Sequence, residues 1–293
     1  MSLWQTAVIF TAAFLAGLVN SVAGGGTLLS FPALIWVGRD PLLANATNTV
    51  ALVPGVAASM LAFRRELKGS RKFALFLIGP SLVGGSAGAL LLLHTPSRLF
   101  SSIAPYMILG ATLLLASRGP ITKLINSKTK PGSKELGLGP AALDGAVGVG
   151  GVGGLENYAG DAAAISGPHP TPSRAWWAGA VAFQFLVSIY GGYFGAGIGI
   201  LMLASLSLLG LTDIYQIGGL KNFLGVCINA TAAILFIVSG AVIWRDVFVM
   251  AIGAAAGGYG GVGLARKVGP VVVRRAVIFI GLGMGLSLFF FHR

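Results

Sequence analysis

Mainly apolar stretches recur along the chain, near Trp4–Val22, Ala44–Phe63, Phe73–Leu93, Leu99–Ser117, Trp176–Tyr190, Ile214–Ser239, Val247–Ala265 and Ala276–Phe291. A helix of about 20 such residues, rising about 1.5 Å per residue, crosses the hydrocarbon core of a bilayer. The charges avoid these stretches. Of 20 Lys and Arg residues only Lys221 falls deep inside one, and all eight acidic residues lie in or beside an intervening loop. Charged residues make up 10% of the 293 and apolar residues 55%, whereas soluble domains are about 25% charged. One soluble core cannot hide that much apolar surface, so the chain reads as an all-α polytopic membrane protein.

The net charge of +12 does not indicate nucleic acid, because no basic face carries interleaved aromatics. It reports cytoplasmic loops, as the positive-inside rule expects. Cys227 is the only cysteine, and His94, His169 and His292 lack ligand spacing. That pattern gives no support to a metal, a cofactor or a catalytic residue. The first apolar run follows Met1 without a basic leader or a small-residue cleavage site, and reads as mature structure.

Two shorter apolar pieces, Thr27–Val37 and Ile198–Leu209, follow the first and fifth long stretches. At about 17 Å each they reach half the bilayer core. Glycine breaks precede both, at Ala23-Gly24-Gly25-Gly26-Thr27 and Phe194-Gly195-Ala196-Gly197-Ile198-Gly199. Each half then continues with a long helix, a polar loop, a helix, another loop and a final helix. The chain therefore reads as a duplication, with repeats at 1–117 and 175–293 joined by a cytoplasmic Gly/Pro/Ser-rich linker at 118–174. Glycine-interrupted segments at matching positions of two halves point to a transporter's binding site. The run Gly148–Gly154 inside the linker has no strand before it and no helix after it, so it reads as flexible linker rather than a phosphate loop.

Charge counts orient the halves. Arg64–Lys72 and Arg118–Lys134 carry five Lys/Arg each and Arg266–Arg275 carries four, whereas Gly38–Leu43, His94–Arg98 and Ala241–Asp246 carry one each. The first three are expected in the cytoplasm and the others outside. This requires Trp176–Leu209 to enter and leave on one side, as a re-entrant hairpin turning at the glycine break. Each half then holds a hairpin and three crossings, so the two repeats are inverted. A spanning broken helix, with an extra crossing near Ala141–Leu155, is the competing topology.

The breaks are also where chemistry is expected. The first N–H groups of a helix lack intrahelical partners and sit at the positive end of its dipole. The starts of both short helices are therefore anion sites, with Asn20, Ser21 and Thr27 as additional donors. Glycines that merely allow tight helix packing are the alternative explanation. Polar starts to the next helices follow, Asn45–Thr49 and Gln216–Asn222, in which Asn45 and Asp213 read as caps. Capping does not explain Lys221, about 12 Å into its span. Snorkelling to the interface, or charge complementarity with an anionic ligand, does. Buried acids of the kind that couple many carriers to protons or sodium are absent from the apolar stretches.

The run Gly17-Leu18-Val19-Asn20-Ser21-Val22-Ala23-Gly24-Gly25-Gly26-Thr27, with Pro32 and the Asn45–Thr49 patch, resembles the TauE/SafE family of sulfite exporters and anion permeases. The second half resembles it more weakly, lacking the triple glycine and a proline matching Pro32, and the long linker is atypical. The resemblance implies a multi-pass inner-membrane permease for sulfite, a sulfonate or a related organic anion. It implies substrate contacts at Asn20, Gly24, Gly25, Gly26, Thr27, Thr49, Gly195, Gly197 and Lys221, beside Ser21 from the residue reading. The expected mechanism is alternating access around an anion held between the hairpin tips. An anion channel of the same architecture is the second hypothesis, and a membrane-embedded enzyme or assembly factor the third. The expected partners are the lipid bilayer and a small anion, with no nucleic acid; a homodimer and a coupling ion are left open.

Overall fold

The structure is a computed structural model that describes residues 2–22, 25–62, 70–116, 174–208, 211, 214–268, 275, 278–283 and 286–287. Gly24, Asp213, most of the linker and half of the last apolar stretch lie outside the described residues. Among the described residues the fold is all-helical. The long elements are α1 (Leu3–Val22), α2 (Thr27–Trp36), α3 (Pro41–Ala62), α4 (Arg71–His94) and α5 (Ser97–Ala116) in the first half. The second half contributes α6 (Arg174–Tyr193), α7 (Ile198–Leu208), α8 (Ile214–Val238) and α9 (Trp244–Val268). Four segments among the described residues are long and apolar enough to cross a membrane: Leu3–Asn20, Arg71–His94, Ser97–Ala116 and Gln216–Val238.

The boundaries follow local chemistry. Gly38 ends the α2 segment at φ +86°, a left-handed conformation that glycine adopts without a Cβ penalty. Asp40 then caps α3, its Oδ1 accepting the N–H groups of Leu42 and Leu43 at 3.0 and 3.2 Å. Pro41 supplies a first helical residue that has no N–H to satisfy. The expected cap at Asn45 is therefore incorrect. Asn45 lies inside α3, fully buried, and its Nδ2 donates to the Tyr193 carbonyl at 2.8 Å.

The chain doubles back between α1 and α2. Gln5 Nε2 donates to the Val37 carbonyl at 3.2 Å, and Gly26 lies against the carbonyl of Ala16. The start of α1 and the end of α2 are thus level with each other, and the break forms the tip of a hairpin.

The two halves interlock. α1 packs along α9, and α4 along α6, each pair running parallel. In the first, Gly253 faces the Phe10 carbonyl and Gly257 the Phe14 carbonyl; in the second, Gly84 faces the Phe185 carbonyl and Gly88 that of Ile189. A Cβ on Gly257 would lie 1.9 Å from its facing oxygen and one on Gly88 2.1 Å from its own. Backbones approach this closely only where the side chain is absent. α3 and α8 pack together between these pairs.

The loops sort to two ends. At one, Arg39 forms two hydrogen bonds to the fully buried carboxylate of Asp246, at 2.6 and 3.1 Å. Ser97 Oγ donates to Asp40 there at 2.9 Å, and the Ile243 N–H donates to Thr47 Oγ1 at 3.0 Å. This end carries the sparsely charged loops. At the other, near Arg71 and Lys72, Ser70 Oγ reaches Gln216 at 3.5 Å, and the Trp177 ring packs on Phe73 and Phe76.

Candidate functional site

The two breaks meet. Between them lies a cavity of about 90 Å³, and about 10–15 Å³ of such space holds one water. Its volume therefore suits a few waters or one small solute. Asn20, Gly25 and Thr27 line it from the first break, and Gly195, Gly197 and Gly199 from the second; Thr49 and Lys221 complete the ring. Seven of the residues singled out in the sequence thus face one space.

The remaining three do not. Gly26 is packed behind the wall, against Ala16. Ser21 falls in the last turn of α1 with its side chain outside the described part, and Gly24 lies outside the described residues.

Backbone conformation explains why glycine occupies the breaks. Gly25 has φ +97°, and Gly195 and Gly197 both have φ +75°, a region that costs an ordinary L-residue about 1–2 kcal/mol. Each turn is held by a side chain six residues upstream. Asn20 Oδ1 accepts the Gly26 N–H at 2.7 Å, and the Tyr190 hydroxyl donates to the Ala196 carbonyl at 2.6 Å. The first bond fixes the carboxamide of Asn20, so its oxygen braces the backbone and its Nδ2 is the group available as a donor. The starts of α2 and α7 then border the cavity with their backbone at Thr27 and at Gly197–Gly199.

The polar patch at the start of α3 divides its labour. Asn45 ties α3 to the end of α6, Thr47 holds the Ile243 N–H, and Asn48 accepts from Ser30 Oγ on α2 at 2.5 Å. Thr49 alone of this patch faces the cavity, with its hydroxyl donating to the Asn45 carbonyl at 2.9 Å. Below it, at helical spacing, come Leu52 and Val56.

Lys221 borders the cavity from α8, and a Cβ on Gly199 would lie 3.7 Å from its Cδ. The aliphatic stem thus lies along the second break. Asn222, the end of the polar start Gln216–Asn222, also lines the space, as do Gly225 and Asn229 of the same helix, which sequence reasoning did not select. Their signal was present: positions 221, 225 and 229 repeat every four residues and share one helix face.

On the side of the sparsely charged end the cavity is closed by aromatic rings. Phe31, Phe100 and Phe194 are buried and meet edge to face, with centroids 5.3–6.4 Å apart. The lining instead extends the other way, from Thr49 to Val56 on α3 and from Ile198 to Met202 on α7.

The chain matches the sequence profile of the Sulfite exporter TauE/SafE family over residues 9–288. It belongs to that family of membrane transporters. It is 28% identical over 286 residues to "Probable membrane transporter protein YfcA" of Escherichia coli K12, covering 97% of this chain and 89% of the relative. It is 24% identical over 290 residues to "Probable membrane transporter protein ORF9" of a Sinorhizobium species, covering 96% and 91%. A Haemophilus influenzae "Probable membrane transporter protein" is 23% identical over 283 residues, covering 95% and 92%. No solved structure matches the chain significantly.

Proposed function

We propose that this chain carries a small anion, sulfite or a sulfonate, across the cell inner membrane by alternating access, with the anion held between the two break tips. The observation that carries the reading is the cavity where both glycine breaks converge with Lys221 and Thr49. Helix N-termini, hydroxyl and amide donors and an ammonium group suit an oxyanion. Catalytic groups play no part in this reading.

The packing supports inverted repeats with re-entrant hairpins. Matching α1–α4 to α6–α9 exchanges the α1–α9 contact with the α4–α6 contact and maps the α3–α8 contact onto itself. α1 begins at the sparsely charged end and α6 at the basic end. With the basic end in the cytoplasm, the cavity lies on the cytoplasmic side of the tips. The aromatic cluster and the Arg39–Asp246 pair then close the outer side. Opening outward would part these contacts as one half rocks against the other.

The test is uptake of sulfite and small sulfonates into proteoliposomes by wild type, Lys221→Ala and Gly25→Leu. Saturable uptake that falls at least about thirtyfold in Lys221→Ala, in line with 2–5 kcal/mol for truncating one partner of a buried charge pair, supports the site. Gly25→Leu should abolish uptake, because it forces a branched side chain to φ +97° at the tip. Uptake that survives both substitutions removes the site. Single-channel currents in planar bilayers would replace the carrier by a channel.

A further inference from the structure

The cavity wall changes character along its depth. At the tips it is polar, formed by Asn20, Thr27, Thr49 and the glycine backbone. Towards the basic end the α3 and α7 walls become apolar, with Leu52 and Val56 on successive turns of α3 and Met202 on α7, while α8 keeps Lys221 and Asn222 on the lining. Val56 sits level with Gly225 of α8, where a Cβ would come 4.0 Å from Val56 Cγ1, and Lys221 lies one turn nearer the basic end. Its stem rises from there along Gly199, one residue into α7 from the Gly197–Ile198 break. The aliphatic stem of Lys221 therefore lies beside the second break, on the same lining as Leu52, Val56 and Met202.

A bare oxyanion has no use for that apolar segment. Its charged oxygens would be drawn to the tips, leaving the space beside Leu52, Val56 and Met202 to water. Water against three apolar side chains is the condition in which an alkyl group gains most by displacing it. We propose that Leu52, Val56 and Met202 determine specificity, by receiving the tail of an anion whose head group sits at the break tips. This chain would thus prefer a short alkyl oxyanion, such as an alkanesulfonate, to inorganic sulfite. The inference rests on the proposed function and adds to it the substrate's second half and the residues that read it.

The chain length of the substrate tests this directly. In proteoliposomes of the full-length protein, inhibition constants are measured for sulfite, methanesulfonate, ethanesulfonate and propane-1-sulfonate against one labelled sulfonate. Each methylene is expected to tighten inhibition about fourfold, the equivalent of about 0.8 kcal/mol per buried methylene, until the tail outgrows the cavity. Butanoate tests whether a carboxylate head serves as well as a sulfonate. In Leu52→Thr and Met202→Thr the propane-to-methane ratio should fall towards one. That ratio is read within one preparation, so a loss of folded protein does not alter it. Equal inhibition by sulfite and propane-1-sulfonate overturns the inference and leaves the anion carrier standing. A chain-length trend that persists unchanged in both variants also overturns it, by placing the tail elsewhere. Uptake of no anion at all overturns the carrier and the inference together.

Discussion

Both glycine breaks turn on left-handed glycines, Gly25 in the first and Gly195 and Gly197 in the second, but the first adds a glycine held by packing alone. In the first, Gly26 has an ordinary helical φ of −55°, yet a methyl group there would lie 2.3 Å from the Ala16 carbonyl. Its glycine is required by packing, because α2 presses onto α1. In the second, Gly197 has φ +75° and its nearest neighbour would stand 3.6 Å from an added Cβ. Its glycine is required by backbone conformation in an otherwise ordinary space. The braces differ as well: an amide oxygen grips an N–H in the first, and a hydroxyl grips a carbonyl in the second. A shared function at the tip thus constrains the turn, while the means of holding it can diverge between the halves.

Substitutions that separate the two means sharpen this contrast. Gly26→Ala is expected to have the largest effect, about 3 kcal/mol from overpacking, seen as a lowered unfolding midpoint in detergent. Gly26→Asn should be worse, since it adds bulk to the same contact. Gly197→Ala is expected to cost less, about 1–2 kcal/mol for a left-handed alanine. Here Gly197→Asn should recover part of the loss, because asparagine tolerates that conformation. A Gly26 series that follows the Gly197 order would erase the distinction. The smallest effect belongs to Tyr190→Phe, about 1 kcal/mol for one hydrogen bond, measured by the same unfolding midpoint. A Tyr190→Phe protein as unstable as Gly26→Ala would make the hydroxyl, rather than the glycines, the main support of the second break.

Much of this was legible in the sequence, for reasons that show where legibility stops. The short helices were expected at Thr27–Val37 and Ile198–Leu209 and run Thr27–Trp36 and Ile198–Leu208, because a glycine cluster followed by an apolar run too short to span marks a break, whereas the cluster Gly257–Gly261 lies inside α9. The start of α3 was expected at Ala44 and falls at Pro41, since the proline and the Asp40 cap extend the helix beyond its apolar part. Composition named the patch Asn45–Thr49 as important but could not say which face of the helix looked inward. Three of those side chains hold neighbouring segments, and only Thr49 borders the cavity. Asn229 was missed because a single asparagine among apolar residues becomes meaningful only when set on a helix face with Lys221 and Gly225. The glycine pairs Gly84/Gly88 and Gly253/Gly257 carry four-residue spacing in the sequence, but their partners lie a hundred or more residues away.

That last pairing has a consequence for how the protein is made. α1 leaves the ribosome well before α9, and the carbonyls of Phe10 and Phe14 await Gly253 and Gly257 on that helix. At about 5–20 residues synthesised per second, α1 spends roughly 12 to 50 seconds in the membrane without its principal neighbour. During that time the first half exposes a backbone surface shaped for a helix that does not yet exist. Docking of α1 therefore waits until α9 has been synthesised, and a chain stopped after α5 would be left with this helix undocked.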